Sequence, residues 1–190
     1  MVDQGQDHRT AQKRLRLMVI VGSTRESRFG PTVADWFVAE ANQHGQMTVD
    51  VVDLKDVTVP SAAFTAAVDA ADAFVVVTPE YNHSFPGPLK TAIDSVRGEW
   101  ATKPIGFVSY GGISGGLRSV EALRNVFAEL HCVTVRQSVS FPMAWELFDD
   151  SGGLKDPAGP NVAATALLDQ LVWWALALRE GRAARPYGSA

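Results

Sequence analysis

The chain has 190 residues, 46% hydrophobic and 20% charged, which suits one globular domain whose core holds without disulfides, and excludes disorder along most of its length. A formal net charge of -4 and a pI near 5.5 leave no broad basic surface, so neither nucleic acid nor an anionic membrane is expected as a partner. Small molecules are the expected ligands. The single cysteine, Cys132, has no partner for a disulfide or a CxxC pair, and His8, His44, His83 and His131 lack zinc-site spacing, so no metal site is expected.

Residues 1–14 are polar and carry no apolar stretch of signal-peptide type; they read as a flexible tail, neither signal peptide nor membrane anchor, and the location expected is cytoplasmic. Leu15 to Val21 is, Arg16 apart, a continuous apolar run with β-branched residues, as in a parallel strand buried on both faces. Val33, Trp36, Phe37 and Val38 predict a helix over 29–44, with Pro31 suited to its first turn. Strands are predicted at 47–54 and 73–77, with no element assigned between them. A helix is predicted at 88–96, a fourth strand at 105–109, a helix at 117–130 and a fifth strand at 133–139. A long apolar helix at 162–178 is followed by a polar tail.

This alternation implies an α/β domain over 15–180, with five parallel strands in the order 2-1-3-4-5, helices on both faces, and a second flexible tail over 181–190. Ligands of such open sheets bind outside the carboxyl ends of the strands, where the winding direction reverses. Three loops with unusual residues fall there.

The first, Gly22 to Gly30, carries Ser23, Thr24, Ser27, Arg25 and Arg28 between a buried strand and a helix start, a donor supply that fits a dianionic monophosphate. It contains neither GxGxxG nor GxxxxGK[ST]. The second, Thr78 to Pro88, sets Glu80, Tyr81 and Asn82 among prolines that restrict the backbone, which suits a flat heterocycle, although Glu80 and Asn82 also fit as turn formers. His83 has no carboxylate orienter and reads as a packed or solvent-exposed loop residue. The third, Ser109 to Gly116, has glycines that admit a ligand close to the backbone. Its Gly112-Ile113-Ser114-Gly115-Gly116 also matches the GxSxG nucleophile elbow of hydrolases, yet the only later histidine is His131 and no suitable acid stands between.

The run PEYNHSFPGPLKTAIDSV from Pro79 to Val96, with GSTRESR and GGLRSVEALR, resembles the NADPH-dependent FMN reductase family of flavodoxin-like quinone, azo-dye and chromate reductases, over about Leu15 to Leu178. The resemblance implies FMN as cofactor and NADPH or NADH as co-substrate. It implies that Ser23, Arg25, Ser27, Arg28, Phe29 and Gly30 bind the FMN phosphate, that Pro79, Glu80, Tyr81 and Asn82 line the isoalloxazine ring, and that Ser109, Gly111 and Gly112 contact its other side or edge. Arg28-Phe29 stands where many members carry a small or amide residue.

The activity expected is hydride transfer from NAD(P)H through flavin to a small-molecule electron acceptor, such as a quinone, azo compound, free flavin or metal oxyanion, with no catalytic side chain because the flavin carries the chemistry. The alternatives are an FMN electron carrier and a flavin-binding regulator. A homodimer or homotetramer is expected, compatible with the apolar residues of 88–100 and of the Trp173-Trp174 helix, which core packing explains equally well. Trp145 and Phe148 fit a roof over the flavin, a subunit contact or surface packing. Arg118, Arg182 and Arg185 are candidates for a 2′-phosphate.

Overall fold

A computed structural model describes residues 14–188; the tail expected over 1–14 thus lies outside the described residues except for Arg14. Five strands, β1 (Leu15–Val21), β2 (Met47–Asp53), β3 (Ala73–Pro79), β4 (Pro104–Gly111) and β5 (Val133–Pro142), form one sheet in the order β2-β1-β3-β4-β5, all neighbours parallel. The expected strand order is the observed one. β3 is buried along its whole length and β4 all but its last residue, which is why apolar residues dominate both, with Thr78 and Ser109 the buried polar exceptions near their carboxyl ends.

The helices are α1 (Gly30–His44), α2 (Ala62–Ala70), α3 (Gly87–Asp94), α4 (Leu117–Glu129), the short α5 (Ala144–Leu147) and α6 (Ala158–Ala184). The sequence reading passed over α2, the crossover that a parallel sheet needs between β2 and β3. Its signal was present: Ser61 caps it, accepting the Phe64 N–H at 3.2 Å, but Phe64 and Val68 are the only buried residues on an alanine-rich stretch. α1 has a proline in its first turn and ends on Gly45, left-handed at φ 74, whose N–H returns to Ala41.

Two cores flank the sheet. Val33, Phe37, Leu167, Leu168 and Leu171 of α1 and α6 pack on one face with Val75, Val108 and Phe141. On the other, Phe64, Leu89, Ile93, Leu123 and Phe127 of α2, α3 and α4 pack with Phe74 and Phe107. Trp100 is the hub of that second core, fully buried, with the rings of Phe64, Phe74 and Phe127 edge-on around it and its Nε1–H donated to the Ile93 carbonyl at 3.2 Å. The apolar residues of segment 88–100 therefore belong to the core, and an interface has no claim on them. Cys132 lies in the same core; burial pushes its thiol up to about 12, as expected of an inert cysteine.

α6 is long and apolar enough to cross a membrane by length and composition, with mean hydropathy 1.3, yet Leu167, Leu168 and Leu171 bury its inner face on the sheet side. It also runs past the expected limit of 180 to Ala184, and the Tyr187 hydroxyl beyond it lies 2.7 Å from Nδ1 of His131.

Candidate functional site

The winding reverses between β1 and β3, because β1 leads through α1 to the edge strand β2 while β3 leads away towards β4. The loops leaving β1 (22–29), β3 (80–86) and β4 (112–116) open at that crevice. A cavity of about 1100 Å³ lies at the opposite, amino-terminal end of the sheet, lined by Lys103, His131 and Arg182 among others. Lys103 there donates to the carbonyls of Val68 and Asp69 at 2.9 and 2.8 Å and so closes the end of α2. It is structural.

The β1 loop leaves the sheet through Gly22, whose N–H is held by the Val77 carbonyl at 2.9 Å; a Cβ there would meet Leu89 at 3.0 Å. Beyond it, the backbone N–H groups of Thr24, Arg25, Glu26 and Ser27 find no protein acceptor among the described residues. α1 then begins on Phe29 without a side-chain cap. A set of unpaired donors at a helix start is the supply a phosphate needs.

The two arginines of this loop have different roles. Arg28 donates to both carboxylate oxygens of Asp53, at 2.9 and 2.6 Å, and to the Ser23 carbonyl at 2.9 Å, with side-chain exposures of 10% and 19% for the pair. It ties the loop to the end of β2 and neutralises a carboxylate, so it braces the donors from behind. Arg25 is exposed, and its guanidinium lies 3.7 Å from the centre of the Tyr81 ring. Phe29 packs edge-on against Phe148 at 5.4 Å and tilted against Tyr110, while a Cβ on Gly30 would stand 2.9 Å from the Tyr110 hydroxyl and push against it. Phe148 is thus buried packing, and Trp145 stays exposed beside Gly112.

The β3 loop is a tight hairpin. Tyr81 and Ser84 exchange backbone hydrogen bonds of 2.8 and 3.0 Å, with Asn82 and His83 both left-handed at φ 51 and 67 between them. That is the geometry of a type I′ turn, which asparagine tolerates better than most residues. It holds Asn82 and His83 out in solvent and turns the Tyr81 hydroxyl onto the fully buried Ser23, 2.7 Å away.

Glu80 faces the β4 loop. Its carboxylate accepts from the Ser114 hydroxyl at 2.7 Å, from the Arg118 backbone N–H at 3.2 Å and from Arg118 Nε. Burial pushes the Glu80 carboxyl up, but the hydrogen bonds from Ser114 and Arg118 prevail and hold it below the ordinary glutamate range. Ser114 is thereby a donor to a carboxylate, with no histidine base on it among the described residues, and the hydrolase reading finds no geometry there to support it. Ser109 and Ser140 both donate to the Gly115 carbonyl, at 2.8 and 2.9 Å, so the Ser109 hydroxyl points into this loop's own framework. Pro79 lies within β3, paired with Tyr110, and Gly111 and Gly112 remain half-buried at the end of β4.

Of the expected site residues, the structure brings Arg25, Ser27, Tyr81, Asn82, Gly111 and Gly112 to the crevice edge. It gives Ser23, Arg28, Phe29, Gly30, Glu80 and Ser109 to the framework beneath. Ser114, Arg118 and Asp53 complete that framework and were missed as a set, because each acts through a partner distant in sequence.

A doubly wound parallel sheet in this order, with a donor-rich first loop at its switch point, defines a flavodoxin-like protein with a site for a phosphate-bearing planar cofactor. The family model described as NADPH-dependent FMN reductase matches residues 15–146, and the chain belongs to that family. A probable NADPH:quinone oxidoreductase of rice, Oryza sativa subsp. japonica, is 34% identical over 169 residues, covering 78% of this chain and 83% of the rice protein. An NAD(P)H-dependent FMN reductase of Schizosaccharomyces pombe is 33% identical over 120 residues, covering 53% of this chain and 60% of the yeast protein. Among solved structures, the flavoenzyme NAD(P)H:(acceptor) oxidoreductase of Paracoccus denitrificans superposes with a TM-score of 0.67 at 20% identity, covering 86% of this chain and 98% of that one, a likeness of fold. The protein is an oxidoreductase of this family, with FMN as cofactor and NAD(P)H as co-substrate.

Proposed function

We propose that the crevice between the β1, β3 and β4 loops holds FMN and that the enzyme reduces a small organic acceptor of quinone type at the expense of NAD(P)H. The observation that carries this reading is the row of unpaired backbone donors from Thr24 to Ser27 beside the rigid Tyr81–Ser84 hairpin. The residues present fit the group: the donors, with Ser27 and Arg25, suit its phosphate, and the half-buried Gly111 and Gly112 offer a ring backbone without side chains.

FMN, when bound, would supply the redox chemistry that carries two electrons from the nicotinamide to the acceptor. The chain's own residues bind and orient. Arg25 is the free cation of the first loop, since Arg28 is neutralised by Asp53, and it moves from Tyr81 to a phosphate at the cost of one cation–π contact. Tyr81 and Asn82 fix one wall through the hairpin, and Gly111 and Gly112 form the other. No acid or base is required of the side chains. The names of the rice and yeast relatives support quinones and free flavin as acceptors.

A symmetric dimer or tetramer and a cytoplasmic location belong to the same proposal; the exposed Val162 and Trp173 on α6 support the former. The test is the visible spectrum of the purified protein with FMN, followed anaerobically through NADPH and then NADH. Flavin bands that bleach and recover on adding a quinone establish the reading. Bound flavin that never bleaches indicates a carrier or regulator, and no bound flavin overturns it.

A further inference from the structure

Helix α4 starts without a cap of its own. Its N-cap is Gly116, left-handed at φ 85, with no side chain to offer an acceptor. Two of its early N–H groups are met locally, Leu117 by the Ser114 carbonyl and Val120 by that of Gly116. The Arg118 N–H is met by Glu80, 38 residues earlier in the chain, whose same oxygen accepts from Ser114 Oγ while the other accepts from Arg118 Nε. The Glu80 side chain is only 7% exposed against 46% for Arg118, and the Glu80 backbone N–H is itself held by the Tyr110 carbonyl at 3.3 Å. Residue 80 is therefore bonded to β4 through its backbone and to the following helix through its carboxylate. Tyr81 and Asn82 follow it directly, and Gly111 and Gly112 precede Ser114.

We infer that Glu80 is a positioning residue for the cofactor ring: its carboxylate caps α4 from another loop and so sets the separation of segments 79–82 and 109–112. This rests on the FMN reading above. Glu80 holds the walls and leaves the phosphate loop alone, because its partners are all on the β4 side. α4 keeps its place without the cap, since Val120, Leu123 and Phe127 anchor it in the core. The effect of losing Glu80 should thus fall on the isoalloxazine ring.

The experiment uses the full chain freed of flavin, as wild type and Glu80→Gln, titrated with FMN and with riboflavin by fluorescence quenching. Glutamine keeps the size and one acceptor oxygen but turns an N–H₂ group towards donors of Arg118. Both flavins should bind about tenfold more weakly, as loss of charge-assisted hydrogen bonds implies. The ratio of FMN to riboflavin affinity should stay at its wild-type value, and amide exchange at Arg118 should speed up without flavin present. Melting should stay within about 5 °C of wild type. Unchanged affinities overturn the inference, as does a loss confined to FMN, which would place the effect at the phosphate, or a loss that follows a general fall in melting temperature. If Glu80→Gln fails to fold, Ser114→Ala removes one of the three bonds and should show the same constant ratio with a loss of about threefold; unchanged binding there also overturns it. Wild-type protein that binds neither flavin defeats the FMN reading itself, an outcome distinct from the others.

Discussion

The hydroxyls of Ser23 and Tyr81 share a hydrogen bond of 2.7 Å that joins the loops leaving β1 and β3 across the switch point of the sheet. Ser23 is fully buried, and Arg25 lies over the same tyrosine ring. One contact thus ties the phosphate-type loop to the hairpin. Tyr81→Phe keeps the ring and removes the tie. It should cost about 1 kcal/mol of stability and weaken FMN binding about fivefold, read from urea unfolding and from fluorescence titration.

The Arg28–Asp53 pair is bidentate and mostly buried, so removing one partner leaves a charge poorly solvated. Asp53→Asn should destabilise the protein by about 3 kcal/mol. The double substitution with Arg28→Gln should cost less than the sum of the two singles, because the second change removes the stranded charge. Urea unfolding of the four proteins checks it, and additive losses would show that the two residues act separately.

Gly116 is left-handed at φ 85, and a Cβ would lie 2.7 Å from Cβ of Ser109 and 2.9 Å from the Tyr110 nitrogen. Both obstacles, a side-chain stem atom and a backbone nitrogen, cannot rotate away. Gly116→Ala should lower stability by about 2 kcal/mol or more and displace the 111–116 loop, with FMN binding reduced in the same titration. A variant with wild-type stability would mean that the loop has another conformation of equal energy.

Burial lowers Lys103 to about 8 from the ordinary lysine value of 10.5, while its amine still donates to two carbonyls. Between those values the unfolded chain binds more protons than the folded one, so this residue makes stability rise with pH across about 8 to 10.5 and leaves a constant penalty below. The rise should total up to about 3 kcal/mol. Cys132 acts the other way above 9.0, its thiol being held up to about 12, but it is present in both proteins. The difference in urea midpoint between wild type and Lys103→Met should therefore grow in favour of wild type through that window. A difference independent of pH would show that Lys103 titrates normally.

The strands and their order were legible because a parallel strand buried on both faces must be mostly apolar, as β1 is apart from Arg16 and β3 is from Ala73 to Val77. α2 was not, since its alanines carry little amphipathic signal and its place is dictated by the crossover it makes. In the site, Arg25 and Arg28 look alike in sequence, three residues apart on one loop. Their roles separate only because Asp53, on a different strand, lies within reach of one of them.

The sequence by itself determined the sheet, the three loops at its carboxyl edge and the family, because burial pattern and short motifs are properties of neighbouring residues. Tertiary structure alone decided which loop residues are open to a ligand and which brace the others. Ser23 with Tyr81, Arg28 with Asp53, and Glu80 with Ser114 and Arg118 meet across 25 to 58 residues of chain. Hydrogen bonds and ion pairs of this kind depend on distances of about 3 Å that only the packed sheet brings about.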